Sequence, residues 1–206
     1  MKNRKLQNED IYKDRGKEMV IDGDIEKGGQ RISTRDMALV AAMTAVTCAL
    51  APFSIPIGPV PISLTNLAIY FGLYIIGMKL ETVSYIVYLL IGFVGLPVFS
   101  SFTGGAAKLL GPTGGYLIGF IPMAVIAGFM IDKSEGKTVP SVIGMIIGTA
   151  VCYALGTIWF CIEAKVEPVP ALSLCVIPFL PGDAIKIVIA AFFGPRIKRA
   201  IKRMGL

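Results

Sequence analysis

The chain contains no histidine. That absence removes the commonest general acid–base group, the Ser-His and Cys-His nucleophile pairs, and every histidine metal site. Cysteine is scarce too. Cys48, Cys152, Cys161 and Cys175 all lie in apolar stretches, without the CxxC spacing of redox or zinc chemistry. They read as small buried apolar side chains. Charge is the third shortage. Only 17% of the 206 residues are Asp, Glu, Lys or Arg, against roughly 25% in average soluble domains. Those charges are also segregated: 17 lie in the first 36 positions and five in the last eleven.

What remains between the tails is apolar. Hydrophobic residues make up 54% of the chain, and mean hydropathy is +0.71. Lipid is the expected solvent. The net charge of +6 does not point to nucleic acid, because the basic residues sit in tails and short loops and form no basic face with interleaved aromatics.

Six apolar segments approach the length of a spanning helix, about 17–25 residues: 36–52, 62–78, 82–96, 116–131, 139–162 and 171–193. The fold class expected is an all-α integral membrane protein with six transmembrane helices. Residues 1–33 read as a polar cytoplasmic tail, disordered or loosely helical, with no secretory signal. Residues 34–195 read as the membrane domain and 196–206 as a basic tail. Met78, Lys79, Leu80 and Glu81 read as a tight polar turn.

Lys and Arg counts give the orientation. With both termini cytoplasmic, eleven basic residues near segment ends fall inside, and only Lys108 and Lys165 outside. The proline-rich turn 52–61, the Gly-rich loop 97–115 and the turn 163–170 then face outward. Irregular backbone at membrane depth is tolerated where it is buried in protein or lines a cavity, so a pocket near the outer surface is expected.

Asp183 and Lys186 are the only charges deep inside an expected span. Each costs roughly 2.5–3.5 kcal/mol to insert. Their i, i+3 spacing puts both on one helix face. They are either a self-neutralising structural pair or a polar binding site. The second reading is favoured, because a pair that only cancels itself gains little over apolar residues. Lys186 would receive an anionic or carbonyl group, and Asp183 would accept from ligand N–H groups. The Gly-rich loop is either a plain connector or a ligand lid, with Thr103, Gly104, Gly114 and Tyr116 as candidate substrate contacts.

Two small-residue stripes invite close helix packing. Gly144, Gly148, Cys152 and Gly156 are expected to pack internally. Ala41, Ala45 and Ala49, with Ala38 and Ala42 beside them, serve either internal packing or a partner protein. Glu135-Gly136-Lys137-Thr138 imitates the end of a P-loop, but Ile131 stands where glycine is required. It reads as a solvated turn, so no ATP site is expected in this chain. Trp159 and the tyrosines near segment ends read as interfacial anchors, and Tyr85 and Tyr88 as packing residues.

From about Thr34 to Arg199 the chain resembles BioY, the biotin-specific substrate-binding (S) component of energy-coupling factor (ECF) vitamin transporters. The resemblance rests on Pro59-Val60-Pro61, on Gly95-Leu96-Pro97 closing the run from Gly92, on Gly111-Pro112-Thr113-Gly114-Gly115-Tyr116, and on Pro181-Gly182-Asp183-Ala184-Ile185-Lys186. It implies a six-helix S component of the cell membrane that binds biotin near the outer surface, with Asp183 and Lys186 as contacts. It implies that the first-helix alanines dock a transmembrane coupling (T) protein. Two ATP-binding subunits would supply energy, and the chain itself would need no cofactor. Two positions depart from the family pattern: Thr65 stands where many members have Gln, and Ser101-Phe102-Thr103 where some have a Gly pair and Asn. A hydroxyl reaches less far than an amide, which leaves a relative of biotin open as the substrate. A self-sufficient ion-coupled carrier is the competing transport reading, although no internal repeat is seen. A membrane-embedded enzyme would need a base, nucleophile or metal set that the sequence lacks.

Overall fold

The computed structural model describes residues 33–56 and 60–203. The expected tail 1–33 lies outside them except for Ser33, as does Pro59 of the proline motif. The compact unit that carries the site begins at Asp36.

Helices dominate. They are α1 (Thr34–Leu50), α2 (Thr65–Ile75), α3 (Gly77–Phe93), α4 (Ala106–Leu110), α5 (Gly114–Lys133), α6 (Thr138–Ala164), α7 (Pro168–Cys175) and α8 (Phe179–Arg203). A two-residue hairpin, β1 (Ser54–Ile55) with β2 (Ile62–Ser63), joins α1 to α2. α5 and α6 are long and apolar enough to cross a membrane, and α7 with α8, bent by 48°, passes the same test when the pair is counted as one span. α1 and α3 have 17 residues each, the lower limit of about 17 for a spanning helix.

Several expected elements differ from the structure. The second segment is mostly a short helix: α2 has 11 residues, about 16 Å at 1.5 Å per residue. The hairpin takes the rest, because Pro56 and Pro61 interrupt helical hydrogen bonding there. Residues 78–81 are not a turn. Gly77, with φ +79°, breaks the helix after Ile75, and Met78 to Glu81 already belong to α3. Glu81 is thereby carried into the protein, fully buried. Asp183 and Lys186 are therefore not the only charged residue types in the helical interior. The sixth segment is also not one rod. It breaks between Cys175 and Phe179, and α8 then continues through residues 196–203.

The tightest packing joins α5 to α6. A Cβ on Gly148 would meet the Met123 carbonyl at 2.9 Å, and one on Gly119 would meet Cys152 Sγ at 3.1 Å. Gly144 lies against Met130, and Gly156 against the Tyr116 ring. The α6 stripe is thus used internally. The α1 stripe is not. Ala38, Ala41, Ala42, Ala45 and Ala49 are all exposed, while Met43, Thr44 and Thr47 face inward. Thr44 Oγ1 bonds Ser84 Oγ at 3.1 Å, which ties α1 to α3.

Tyr85 and Tyr88 are buried packing residues, as expected. Tyr85 donates to the Leu117 carbonyl at 2.9 Å and Tyr88 to the Val98 carbonyl at 3.1 Å. Trp159, expected as an interfacial anchor, makes internal contacts. Its indole Nε1 donates to the Gly111 carbonyl at 3.0 Å, and its ring lies over Gly115, so α6 clamps the Gly-rich loop. Glu135 to Lys137 form an irregular turn with positive φ at Glu135 and Gly136. Cys48, Cys152, Cys161 and Cys175 are free thiols, two buried and two half-buried.

Candidate functional site: a buried carboxylate–ammonium cleft

The irregular backbone and α8 converge on one cleft. Pro181 falls in the first turn of α8, where its missing N–H costs no helical bond. The helix then carries Asp183 and Lys186 on one face, each only 7% exposed. Lys186 Nζ lies 2.9 Å from Asp183 Oδ1. Their charges are satisfied by other elements too. From α2, Asn66 Nδ2 donates to Asp183 Oδ1 at 2.9 Å. From α6, Tyr153 OH donates to Oδ2 at 2.6 Å. From β2, the Ser63 carbonyl accepts from Lys186 Nζ at 2.6 Å. Three donors on one carboxylate offset much of its desolvation. An ammonium has three donors, so Lys186 keeps one for a ligand.

The opposite wall is apolar and aromatic, with Val60, Pro61, Leu117, Phe120 and Phe179 among its residues. Tyr116 stacks on Phe179 with centroids 6.4 Å apart, and its hydroxyl donates to the Cys175 carbonyl at 3.1 Å. The cleft holds only about 60 Å³ of free space, below the roughly 300–1,000 Å³ of small-molecule sites, so it is narrow in this structure. An apolar wall facing one polar end suits a small amphipathic ligand. Lys186 can receive an anion or carbonyl, and the Asp183 carboxylate can accept ligand N–H groups. Lys108, in the loop outside the spans, has its ammonium pushed below the usual lysine range by burial. Among the described residues no group of three or more Cys, Asp or Glu could hold a metal.

Tyr116, Asp183 and Lys186 line the cleft together, and so does Thr65. Thr103, Gly104 and Gly114 are not in its lining. The Thr103 hydroxyl is spent on the Ser100 carbonyl at 2.8 Å, Gly104 abuts the Leu96 carbonyl, and Gly114 that of Leu109. The loop instead contributes Ser100 and Thr113. Of the three outward turns from which a pocket is expected, the proline turn lines the cleft through Val60 and Pro61 and the Gly-rich loop through Ser100 and Thr113, whereas the turn 163–170 is not in its lining.

The family model that matches residues 25–203 is that of the BioY family. The chain belongs to the BioY family. The biotin transporter BioY of Thermotoga maritima is 38% identical over 166 residues, covering 80% of this chain and 96% of that protein. The biotin transporter BioY2 of Lactococcus lactis is 33% identical over 172 residues, covering 84% and 94%. In three dimensions the chain is similar to the crystal structure of the S-component for biotin from an ECF-type ABC transporter. That match has a TM-score of 0.75 at 29% identity and covers 83% of this chain and 94% of the other. BioY proteins are transporters and not enzymes. This BioY member is accordingly a multi-pass protein of the cell membrane.

Asn66 and Tyr153 were not singled out from the sequence. A signal existed for Asn66: it is the only side-chain amide after residue 30. An amide that lipid cannot satisfy must find a polar partner. No such signal marks Tyr153 among the seven tyrosines.

Proposed function

We propose that this chain is the biotin-binding S component of an ECF-type uptake transporter. The observation that carries the reading is the Asp183–Lys186 pair, buried and held from α2, α6 and β2 at the polar end of an aromatic cleft. Biotin has the matching chemistry: a ureido ring with N–H donors and a carbonyl, an apolar body, and a carboxylate tail. Thr103, Gly104, Gly114 and Tyr116 remain candidate contacts as the loop closes over the ligand.

In this reading the membrane domain 34–195 makes six crossings with both termini cytoplasmic. The 17-residue α1 and α3 would be crossings near the lower length limit. The exposed alanines of α1, Ala38, Ala41, Ala42, Ala45 and Ala49, form the surface that docks the coupling T protein. Small side chains there allow close helix approach in lipid. Two partner ATP-binding subunits supply the energy, and this chain uses no cofactor. Residues 1–33 and 196–206 flank the membrane domain on the cytoplasmic side.

Titration calorimetry of the detergent-purified protein with biotin tests the reading. The parent should bind at one site, and Asp183→Asn and Lys186→Ala should each lose binding while staying folded. Binding that survived both substitutions would remove the site but leave the function. A folded parent that ignored biotin would overturn the substrate and direct attention to related carboxylate vitamins.

A further inference from the structure

On the outer face of the bundle, α6 and α8 do not close against each other along their length. A slot runs between them. Its upper part reaches Tyr153 and Asp183, and its lower part reaches Thr138, Arg196 and Arg199. Val142, Ile187 and Val188 line both parts, so the slot is continuous. Small side chains make the room: Ala150 and Ala184 above, Ala191 below. From Asp183 to Arg196 the helix rises about 20 Å at 1.5 Å per residue. One leaflet of hydrocarbon is about 15 Å deep, half of a core about 30 Å thick. The slot is therefore long enough to take one lipid tail.

Its two ends differ in chemistry. The walls between them carry almost only aliphatic groups, and Ile146 and Val188 stand exposed along the rims. The lower end is cationic. Arg196 lies over the Phe192 ring, 3.7 Å from its centroid, and donates to the Phe192 carbonyl. Arg199 Nε donates to the Pro195 carbonyl at 3.1 Å. These bonds hold both guanidinia beside the slot and use only a part of their five donors. Among the described residues neither has a carboxylate partner, whereas the neighbouring Lys198 is paired with Asp132 at 3.1 Å.

We infer that the slot between α6 and α8 binds one anionic phospholipid, with a tail between the helices and the phosphate between Arg196 and Arg199. Guanidinium forks match phosphate oxygens bidentately. The basic end of α8 lies at a membrane surface whichever way the chain is inserted. A zwitterionic lipid would bring its ammonium to the same two cations, so an anionic headgroup is preferred. The end of the tail would rest behind Tyr153 and Asp183, on the far side of the ligand cleft.

The test is native mass spectrometry of the full chain in neutral detergent, given equal amounts of phosphatidylglycerol and phosphatidylcholine with matched tails. One retained phosphatidylglycerol per protein is expected. The Arg196→Gln/Arg199→Gln variant should lose that preference by on the order of tenfold, since each basic group near anionic lipid contributes a substantial share. Val188→Trp fills the slot without touching its charges and should lower retention equally. Ile146→Trp fills it from the facing wall, should Val188→Trp not fold. Equal retention of both lipids would overturn the inference. So would a preference that persisted in a folded, slot-filled variant, because the lipid would then be held by the basic surface alone.

Discussion

The hydroxyl of Tyr153 donates to Asp183 Oδ2 at 2.6 Å, across the seam between α6 and α8. Among the described residues it is the one hydrogen bond from α6 to the buried carboxylate, and Asn66 and Lys186 both bond the other oxygen. The site carboxylate is therefore aimed by two helices outside its own. Loss of the Tyr153 bond would leave it free to swing toward Lys186.

Tyr153→Phe should accordingly weaken biotin binding by about tenfold or more, since a hydrogen bond to a charged group contributes about 1.5–3 kcal/mol. Calorimetry beside a melting curve reads this. Unchanged affinity in a folded variant would mean that Asn66 and Lys186 suffice.

Asn66→Asp should be worse than Asn66→Ala. The new carboxylate would sit within hydrogen-bond reach of Asp183 Oδ1, where the amide now donates at 2.9 Å. Like charges at that distance repel strongly in a site shielded from water. Comparing the biotin affinities of the two variants decides. Equal affinities would argue that Asn66 only fills space.

Glu81 offers a stability test. It is fully buried, and neither carboxyl oxygen has a hydrogen-bond partner among the described residues. Its carboxyl group packs against Gly72 of α2. Gly72→Ala should destabilise the protein by about 1–3 kcal/mol through overpacking. Glu81→Ala made in the same chain should recover part of that loss, because the two positions share one space. Thermal unfolding of both single variants and the double variant checks this. Strictly additive effects would refute the contact.

Trp159→Phe keeps an aromatic ring over Gly115 but removes the bond from Nε1 to the Gly111 carbonyl. The loop 97–115 should become more open to protease, and biotin should leave several-fold faster. The loss of a single bond, about 0.5–1.5 kcal/mol, sets that scale. A loop equally resistant in both proteins would place its restraint elsewhere.

Ala45→Leu adds bulk to an exposed position on α1. Biotin binding should be unchanged, whereas co-purification with the proposed T protein and ATP-binding subunits should fall. Assembly that tolerated bulk along the whole stripe would move the docking surface to another helix.

Much of this was legible without coordinates. Segregated charge and long apolar runs can exist only in lipid, where every backbone group must be bonded within the chain. That made the structure helical and placed α5 and α6 nearly to the residue. The cost of an ionisable group in an apolar helix singled out Asp183 and Lys186, and both line the cleft. Hydropathy could not tell an 11-residue α2 preceded by a hairpin from a full helix. Apolarity is set by composition, whereas the break comes from Pro56, Pro61 and the sheet bonds that replace helical ones. Nor could it tell that Glu81 would enter the interior, since that turns on one positive-φ glycine, Gly77.

Sequence alone therefore determined the solvent, the helical class and the charged pair, because each follows from the transfer energy of local groups. Only the tertiary structure decided which groups meet. Asn66, Tyr153 and Ser63 lie 117, 30 and 123 residues from their partners on α8. Such contacts depend on how helices pack, which no local pattern encodes. The same holds for the two small-residue stripes. Their spacing is alike, yet the α6 stripe is buried against α5 and the α1 stripe is left exposed, because the opposite face of α1 carries the groups that the core accepts.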